Sequence, residues 1–335
     1  MPTIATELLL DLAERYAESP VLVGGGEAAL PHELTNATFL PVDIRERDAA
    51  KGTIIPQPKS ESFATVLVPA PPDRDLLRRF LLIAAGALLP DGKLIVCGAN
   101  AEGGKSAIKD AEALFGPPLW AGYQAKHRLG IFRKGTMLQP EWANQAGIAP
   151  GTWQDFTVET PAGSLALQTQ AGVFAGARLD IGTSLLLEHM HIPAGADVLD
   201  IGCGVGVIGL TAAKVGAGSI TMTDANLLAV EASQRNVERL GIAAEVMASD
   251  VFTHIGHRHF DLILSNPPFH RGKSVDLTVA NRLIVEAPGH LRPGGALVVV
   301  ANAFLNYDKA MREVFADVAI IASTPQFHVI CGTRA

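Results

Sequence analysis

"ADVLDIGCGVGVIGLTAAKVG", residues 196–216, decides the fold. Its first third is a short aliphatic run of strand character, and its last third reads as a helix stopped at Gly216. Between them stand Gly202, Gly204 and Gly206, a strand-to-helix turn without side chains where a ligand must touch the main chain. A dinucleotide fingerprint would read G-x-G-x-x-G. The order here is G-x-G-x-G, and Asp200 stands two residues before the first glycine. A carboxylate in that place would repel a pyrophosphate and suits a ligand carrying a cationic amine or sulfonium.

The pattern continues outward. "SITMTD", "AEVMASD" and "FDLILSN" are strands alternating with helices such as "NLLAVEASQRNVERLG", and "VAIIAS" with "FHVICGTR" form a closing pair. The fold class is therefore α/β, a doubly wound and mostly parallel sheet with its ligand at the carboxyl ends of the strands. Asp224 and Asp250 end two successive strands after the glycine turn. The first is placed to accept the hydroxyls of a ribose, and the second, followed by Val251, an adenine amino group. With Cys203 inside the turn, these residues outline a nucleoside pocket.

"SNPPF", residues 265–269, leaves the next strand beside the same cleft. The side-chain oxygen of Asn266 and the main-chain oxygen of Pro267 can both accept from one NH2 group. The ring of each proline fixes its own φ, so Pro267 and Pro268 hold the acceptors in place. Phe269 offers a face on which a flat base stacks. Two fixed acceptors stabilise the charge that develops on a planar amine as its nitrogen is alkylated. His270 after the turn is open to two readings, a general base or a partly exposed surface residue.

The first half repeats the plan. "LLRRFLLIAAGALLPDGKLIVCGAN" (76–100) lies beside "VANRLIVEAPGHLRPGGALVVVAN" (279–302), and "FATVLVPAPPD" echoes "FDLILSNPPF". The chemistry does not repeat, because Val23 stands where Asp200 would and Pro69 where Asn266 would. Two tandem Rossmann-like domains are expected: a degenerate, non-catalytic copy over 1–150 and a catalytic one over 151–335. Residues 133–153 read as a linker, and 160–180 as a hairpin leading into the second copy.

The chain has 335 residues, 48% hydrophobic and 18% charged, enough for two cored domains. The N-terminal "TELLLDLAERYAE" carries acids within its apolar period and reads as an amphipathic helix rather than a signal peptide. No apolar run reaches membrane-spanning length, so no membrane partner is expected. Cys97, Cys203 and Cys331 lack metal-ligand spacing, so no metal is expected, and the chain fits a reducing cytoplasm. At a net charge of −7 a nucleic acid would need a local basic patch. Lys126, Arg128, Arg133 and Lys134 form one candidate, Arg271 and Lys273 beside the proline turn another.

These residues are familiar as a set. "VLDIGCGVG", "TDAN", "SDVF" and "SNPPFH" resemble class I S-adenosylmethionine-dependent methyltransferases with the asparagine-proline-proline signature of amine methylation. "AGVFAGARLDIGTSLLL" (171–187), "SNPPFHRG" and "VANAFLNY" (300–307) are similar to the ribosomal RNA small subunit methyltransferase C family, which methylates N2 of a guanine in 16S rRNA. The likeness covers about 170–335 by motif and 1–150 by architecture.

The resemblance implies S-adenosyl-L-methionine as cofactor, with Asp200, Gly202 and Gly204 along its methionine part. It further implies ribose on Asp224, adenine on Asp250, and the target guanine held by Asn266 to Phe269. Phe174, Arg178 and Asp180 would stand at the cleft entrance. The implied partner is 16S rRNA or the 30S subunit, met by a monomer. Methylation of an adenine N6 or a glutamine amide remains an alternative, as does an assembly factor that binds RNA without turnover.

Overall fold

The computed structural model describes residues 4–25, 34, 37–50, 53–268, 270–271, 274–275 and 277–335. The chain divides into two compact units, Met1–Trp153 with Gln170–Gly172, and Gln154–Thr169 with Val173–Ala335.

The first unit contains α1 (Ile4–Tyr16), β1 (Val21–Gly24), β2 (Thr38–Leu40), α2 (Ile44–Ala49), β3 (Thr53–Ile54) and β4 (Phe63–Pro69). It continues with α3 (Arg74–Ala87), β5 (Leu88–Ala99), α4 (Gly104–Phe115), β6 (Trp120–Gln124) and β7 (His127–Arg133). The amphipathic N-terminal stretch is α1, which buries Leu8, Leu9 and Leu12.

The second unit opens with a separate hairpin, β8 (Gln154–Thr160) and β9 (Gly163–Thr169), followed by α5 (Ile181–His189). The alternation then runs β10 (Asp197–Ile201), α6 (Val207–Lys214), β11 (Ser219–Asp224), α7 (Leu227–Leu240), β12 (Glu245–Ala248) and β13 (Phe260–Ser265). After the short β14 (His270–Arg271) and β15 (Ser274–Val275) come α8 (Thr278–Glu286), β16 (Leu291–Asn302), α9 (Tyr307–Arg312), β17 (Asp317–Ser323) and β18 (Phe327–Thr333).

The two seven-stranded sheets have one topology. Their orders are β3-β2-β1-β4-β5-β7-β6 and β12-β11-β10-β13-β16-β18-β17, parallel except for β7 and β18, each of which runs antiparallel to both of its neighbours. Even an irregularity recurs. Pairing shifts between Phe63 and Thr65 against β5, and between Phe260 and Leu262 against β16. The central strands carry near-continuous aliphatic runs because helices cover both faces. Leu199, Ile263 and Leu297 are fully buried, each worth about 1.5–3 kcal/mol.

One local reading is corrected by the structure. The hairpin occupies 154–169 rather than 160–180, because Phe156 and Val158 alternate with polar residues along a first strand that lies ahead of Thr160.

The shared register also aligns the two units residue by residue. Val23 pairs with Leu67 as Asp200 pairs with Leu264, so Val23 stands in the place of Asp200. Counting on along the same strands puts Pro41 at the position of Asp224, Pro58 at that of Asp250 and Pro69 at that of Asn266. No helix among the described residues is long and apolar enough to cross a membrane.

Candidate active site

The glycine turn between β10 and α6 is tied down from every side. The carbonyl of Thr223 at the end of β11 accepts from the N–H groups of Gly202 (2.8 Å) and Cys203 (3.0 Å). The Asp224 carboxylate accepts from Gly204 N at 2.9 Å and from Asn226 N at 2.8 Å. Two side chains on the buried face of α7 hold the turn's carbonyls: Ser233 Oγ donates to Gly204 O at 2.8 Å, and Asn236 Nδ2 to Val205 O at 2.9 Å. Gly202 and Gly204 have φ of 74° and 58°, a region L side chains avoid, and a Cβ on either would project into open space. The turn is a rigid rim around that space.

Asp200 is fully buried and does not line the cleft. One oxygen accepts from Gly209 N at 2.9 Å in the first turn of α6, and the other has no hydrogen-bond partner among the described residues. Burial pushes its carboxyl up to about 7, opposed by the Gly209 N–H and reinforced by the charge of Asp224. Asp200 braces the turn from behind, because strand alternation directs it into the layer between sheet and helix.

Cys203 lines the cleft, and its buried thiol lies 3.3 Å from Ser233 Oγ. Desolvation raises that thiol, with the charges of Asp224 and Asp200 adding to the effect. Gly206 caps α6 at φ 89°.

Asp224 thus ends β11 beside the turn, with both of its oxygens facing these backbone groups. Asp250 is engaged by a residue that the sequence did not single out, Arg282 of α8, whose NH1 lies 2.7 Å from its carboxylate. Val251 has φ of 54°, an outlier for a β-branched residue. Its carbonyl is held by Ser249 Oγ at 2.7 Å. Strain of this kind collects where a backbone group must face a ligand.

At the proline elbow Ser265 Oγ anchors the strand end to Ile201 O at 2.7 Å. Both hydrogens of the Asn266 amide are committed inward: Nδ2 donates to Asp180 Oδ2 at 3.0 Å and to Thr183 Oγ1 at 2.9 Å. A carboxylate accepts only, so the nitrogen must face it and the amide oxygen is turned the other way. Asp180 is itself the N-cap of α5, accepting from Thr183 N at 3.0 Å. Pro267 is buried and Pro268 exposed. Phe269 and Lys273 lie outside the described residues, as do the side chains of His270 and Arg271.

Phe174, 65% exposed, and Arg178 line the cleft together with Asp180, Thr183 and Asn266, so the entrance segment and the elbow share one cavity. The opposite wall is apolar and comes from the hairpin, through Phe156, Val158 and Leu167. The buried amide of Asn236 fastens that hairpin, accepting from Gln168 N at 2.8 Å and donating to Gln168 O at 3.0 Å. The signal for it was a polar pair, Ser233 and Asn236, spaced i and i+3 on the apolar face of a helix.

The basic stretch 124–135 is not one patch. Arg133 and Lys134 pair with Asp91 and Glu61 at one end of β7, while Lys126 and Arg128 lie at the other. Among the described residues no cluster of three His, Cys, Asp or Glu could hold a metal ion.

Comparison with known proteins places this geometry. The model for the methyltransferase small domain matches residues 164–331. The ribosomal RNA small subunit methyltransferase C of Chromohalobacter salexigens is 36% identical over 263 residues, 77% of this chain and 75% of that protein. Its namesake in Salmonella typhimurium is 30% identical over 349 residues, spanning 98% and 96% of the two chains.

This chain belongs to the ribosomal RNA small subunit methyltransferase C family.

A solved structure shares the fold at full length: the 16S rRNA N2 methyltransferase RsmC of T. thermophilus, in complex with AdoMet and guanosine. It matches with a TM-score of 0.85 at 24% identity, over 98% of this chain and 92% of that one. The paired seven-stranded sheets are therefore the architecture of a methyltransferase C chain.

Proposed function

We propose that this chain methylates the exocyclic N2 amine of a guanine in 16S ribosomal RNA, with S-adenosyl-L-methionine as donor. The observation that carries the reading is the Asn266 amide, whose two N–H groups are consumed by Asp180 and Thr183 so that its oxygen faces the substrate side. The names of the relatives, rRNA methyltransferases in each case, support it.

The residues present fit the cofactor. A Cβ on Gly202 or Gly204 would intrude on open space at the rim of the turn, and Asp224 at the end of β11 would accept ribose hydroxyls. Asp250 and the strained Val251 would meet the adenine, with Arg282 fixing the Asp250 carboxylate. The bound cofactor supplies an electrophilic methyl carbon on a cationic sulfur.

Asn266 Oδ1 and the Pro267 carbonyl would accept the two hydrogens of the target amine. That draws its lone pair out of the ring and stabilises the positive charge that grows on nitrogen during transfer. Pro267 and Pro268 restrict the elbow, and Phe269 would stack the base. Arg271, Lys273, Phe174 and Arg178 would guide the RNA at the entrance. The amine proton can leave to water afterwards, so His270 need not act as a base. Acceleration would come from positioning and fixed dipoles.

We read residues 1–150 as a copy without catalysis, because Val23, Pro41, Pro58 and Pro69 replace the acids and the amide. The catalytic copy is then 151–335. The enzyme would act as a monomer in the cytoplasm, on 16S rRNA or the 30S subunit.

The test is transfer of labelled methyl to 30S subunits and to naked 16S rRNA, followed by nucleoside mass spectrometry. N2-methylguanosine is expected from the wild type. Asn266→Ala should lose roughly 10²–10³-fold in kcat with cofactor affinity kept. Label in adenosine, in protein or in nothing would overturn the assignment.

A further inference from the structure

Unit 1 carries a groove of its own. It has a volume of about 420 Å³ and lies between α4 and the edge strand β6, with the neighbouring strand β7 completing it. Its strand side is formed by Ala121, Gly122, Tyr123, Arg128 and Leu129. Matched through the shared register, the same place in unit 2 holds Ile320 paired with Ile330. The second copy thus carries two branched side chains where the first has an alanine paired with a glycine.

What surrounds the opening is cationic and aromatic. Lys105 and Lys109, both exposed, stand one helical turn apart on α4. Across from them the guanidinium of Arg128 lies 4.7 Å from the centre of the Tyr123 ring, which stays 56% exposed. In unit 2 the matching pair is Ser323 and His328. No acidic side chain lines the groove. The volume falls in the range of small-molecule pockets, about 300–1,000 Å³, and would admit a nucleotide.

We propose that this groove binds a single-stranded segment of the RNA substrate outside the catalytic cleft. Lys105, Lys109 and Arg128 take backbone phosphates, and the Tyr123 ring takes a base. Charge complementarity commits the site to a polyanion, since three cations without a lining acid sit on a chain whose net charge is −7. The exposed ring held under a guanidinium favours a nucleic acid over an acidic peptide, because each base presents a face to stack while a carboxylate does not. The proposal rests on the reading that RNA is the substrate. It gives the copy without catalysis a task of its own.

The experiment uses the full chain and two probes, an oligouridylate of about 12 nucleotides and naked 16S rRNA. Affinity is measured by fluorescence anisotropy between about 50 and 200 mM salt. Tyr123→Ala should weaken oligouridylate binding about 10-fold. The Lys105→Ala, Lys109→Ala double variant should lower the salt slope by about 1.4, two phosphates at about 0.7 each. In both, KM for 16S rRNA rises while kcat and cofactor affinity stay at wild-type values, a split that damage to the catalytic cleft would not produce.

The groove is refuted if both variants bind either RNA with wild-type affinity and salt slope while the wild type methylates rRNA. It is equally refuted if an oligoglutamate peptide binds the wild type more tightly than oligouridylate does. Failure of the wild type to methylate any RNA would instead sink the activity. The anisotropy arm needs no methyl transfer, so the two failures remain distinguishable.

Discussion

The amide nitrogen of Asn266 lies 3.0 Å from the carboxylate of Asp180, a residue 86 positions earlier in the chain. One carboxylate oxygen serves two tasks, capping α5 through Thr183 N and orienting the amide that is to hold the substrate. Thr183 closes the triangle from the same helical turn. Helix α5 is therefore the jig that sets the elbow.

Breaking that jig should slow chemistry more than it weakens binding. Asp180→Ala is expected to lower kcat about 10–100-fold with cofactor Kd nearly unchanged, and to destabilise the fold by about 1 kcal/mol through loss of the cap. Asp180→Asn keeps a capping oxygen and should recover the stability without recovering the rate. Steady-state kinetics, calorimetry and thermal melting separate these effects. A full-speed Asp180→Ala enzyme would show that the amide needs no such anchor.

Asp224 joins the glycine turn to the next strand and, in the proposed complex, accepts the ribose. An Asn there must offer one NH2 where two backbone N–H groups now find oxygen. Asp224→Asn should weaken S-adenosylmethionine binding at least about 10-fold and lower stability by about 1–3 kcal/mol. Titration calorimetry reads the first and denaturant unfolding the second. Unchanged cofactor affinity would remove Asp224 from the pocket.

The buried carboxyl of Asp200 makes stability depend on pH in a defined direction. Its pKa rises from 3.8 in the unfolded chain to about 7 in the fold. Between those values the folded chain holds a proton that the unfolded chain has released, so stability is greatest below about pH 4 and falls as pH rises through about 7. At about 1.4 kcal/mol per pH unit the effect is at most about 4 kcal/mol. Melting curves of ligand-free wild type and Asp200→Asn across this window should diverge, with the variant flatter. Glu46, pushed up to about 8 by burial, contributes the same sign in both proteins and cancels in the comparison. Parallel curves would mean that Asp200 is ionised throughout.

Asn236 fastens the hairpin to the glycine turn with three hydrogen bonds from a fully buried position. Asn236→Ala strands one N–H and two carbonyls, and a loss of about 2–4 kcal/mol is expected. Urea unfolding measures it. Hydrogen exchange should show the extra opening confined to residues 154–169 and 202–206; uniform loss of protection would contradict a local latch.

Much of this was legible where the information is local. The turn at 202–206, the elbow at 266–268 and the strand-helix alternation each lie within a few consecutive residues, and so do their physical reasons. The doubling of the fold was legible because 76–100 and 279–302 follow one template. Contacts between distant segments were not. Nothing near Asn266 names Asp180 as its partner, although Asp180 followed by Thr183 has the form of a helix cap. The hairpin strand at 154–160 is half polar and reads as a loop until it pairs. Asp200 was placed on the right strand, but whether a strand-end acid faces the cleft or the layer behind it depends on packing. The cations of 124–135 looked like one cluster because sequence proximity hides the length of a strand.

The matched registers also bear on whether the first unit could ever regain activity. Three of its four key positions are prolines, which carry no amide hydrogen and fix their own torsions, so each replacement altered the course of the main chain as well as the side chain. Restoring one carboxylate would leave the surrounding turns shaped for its absence. In the proposed reading of the first unit as a copy without catalysis, the history of the duplication is a ratchet: that half can be recruited to new work more readily than it can be returned to the old.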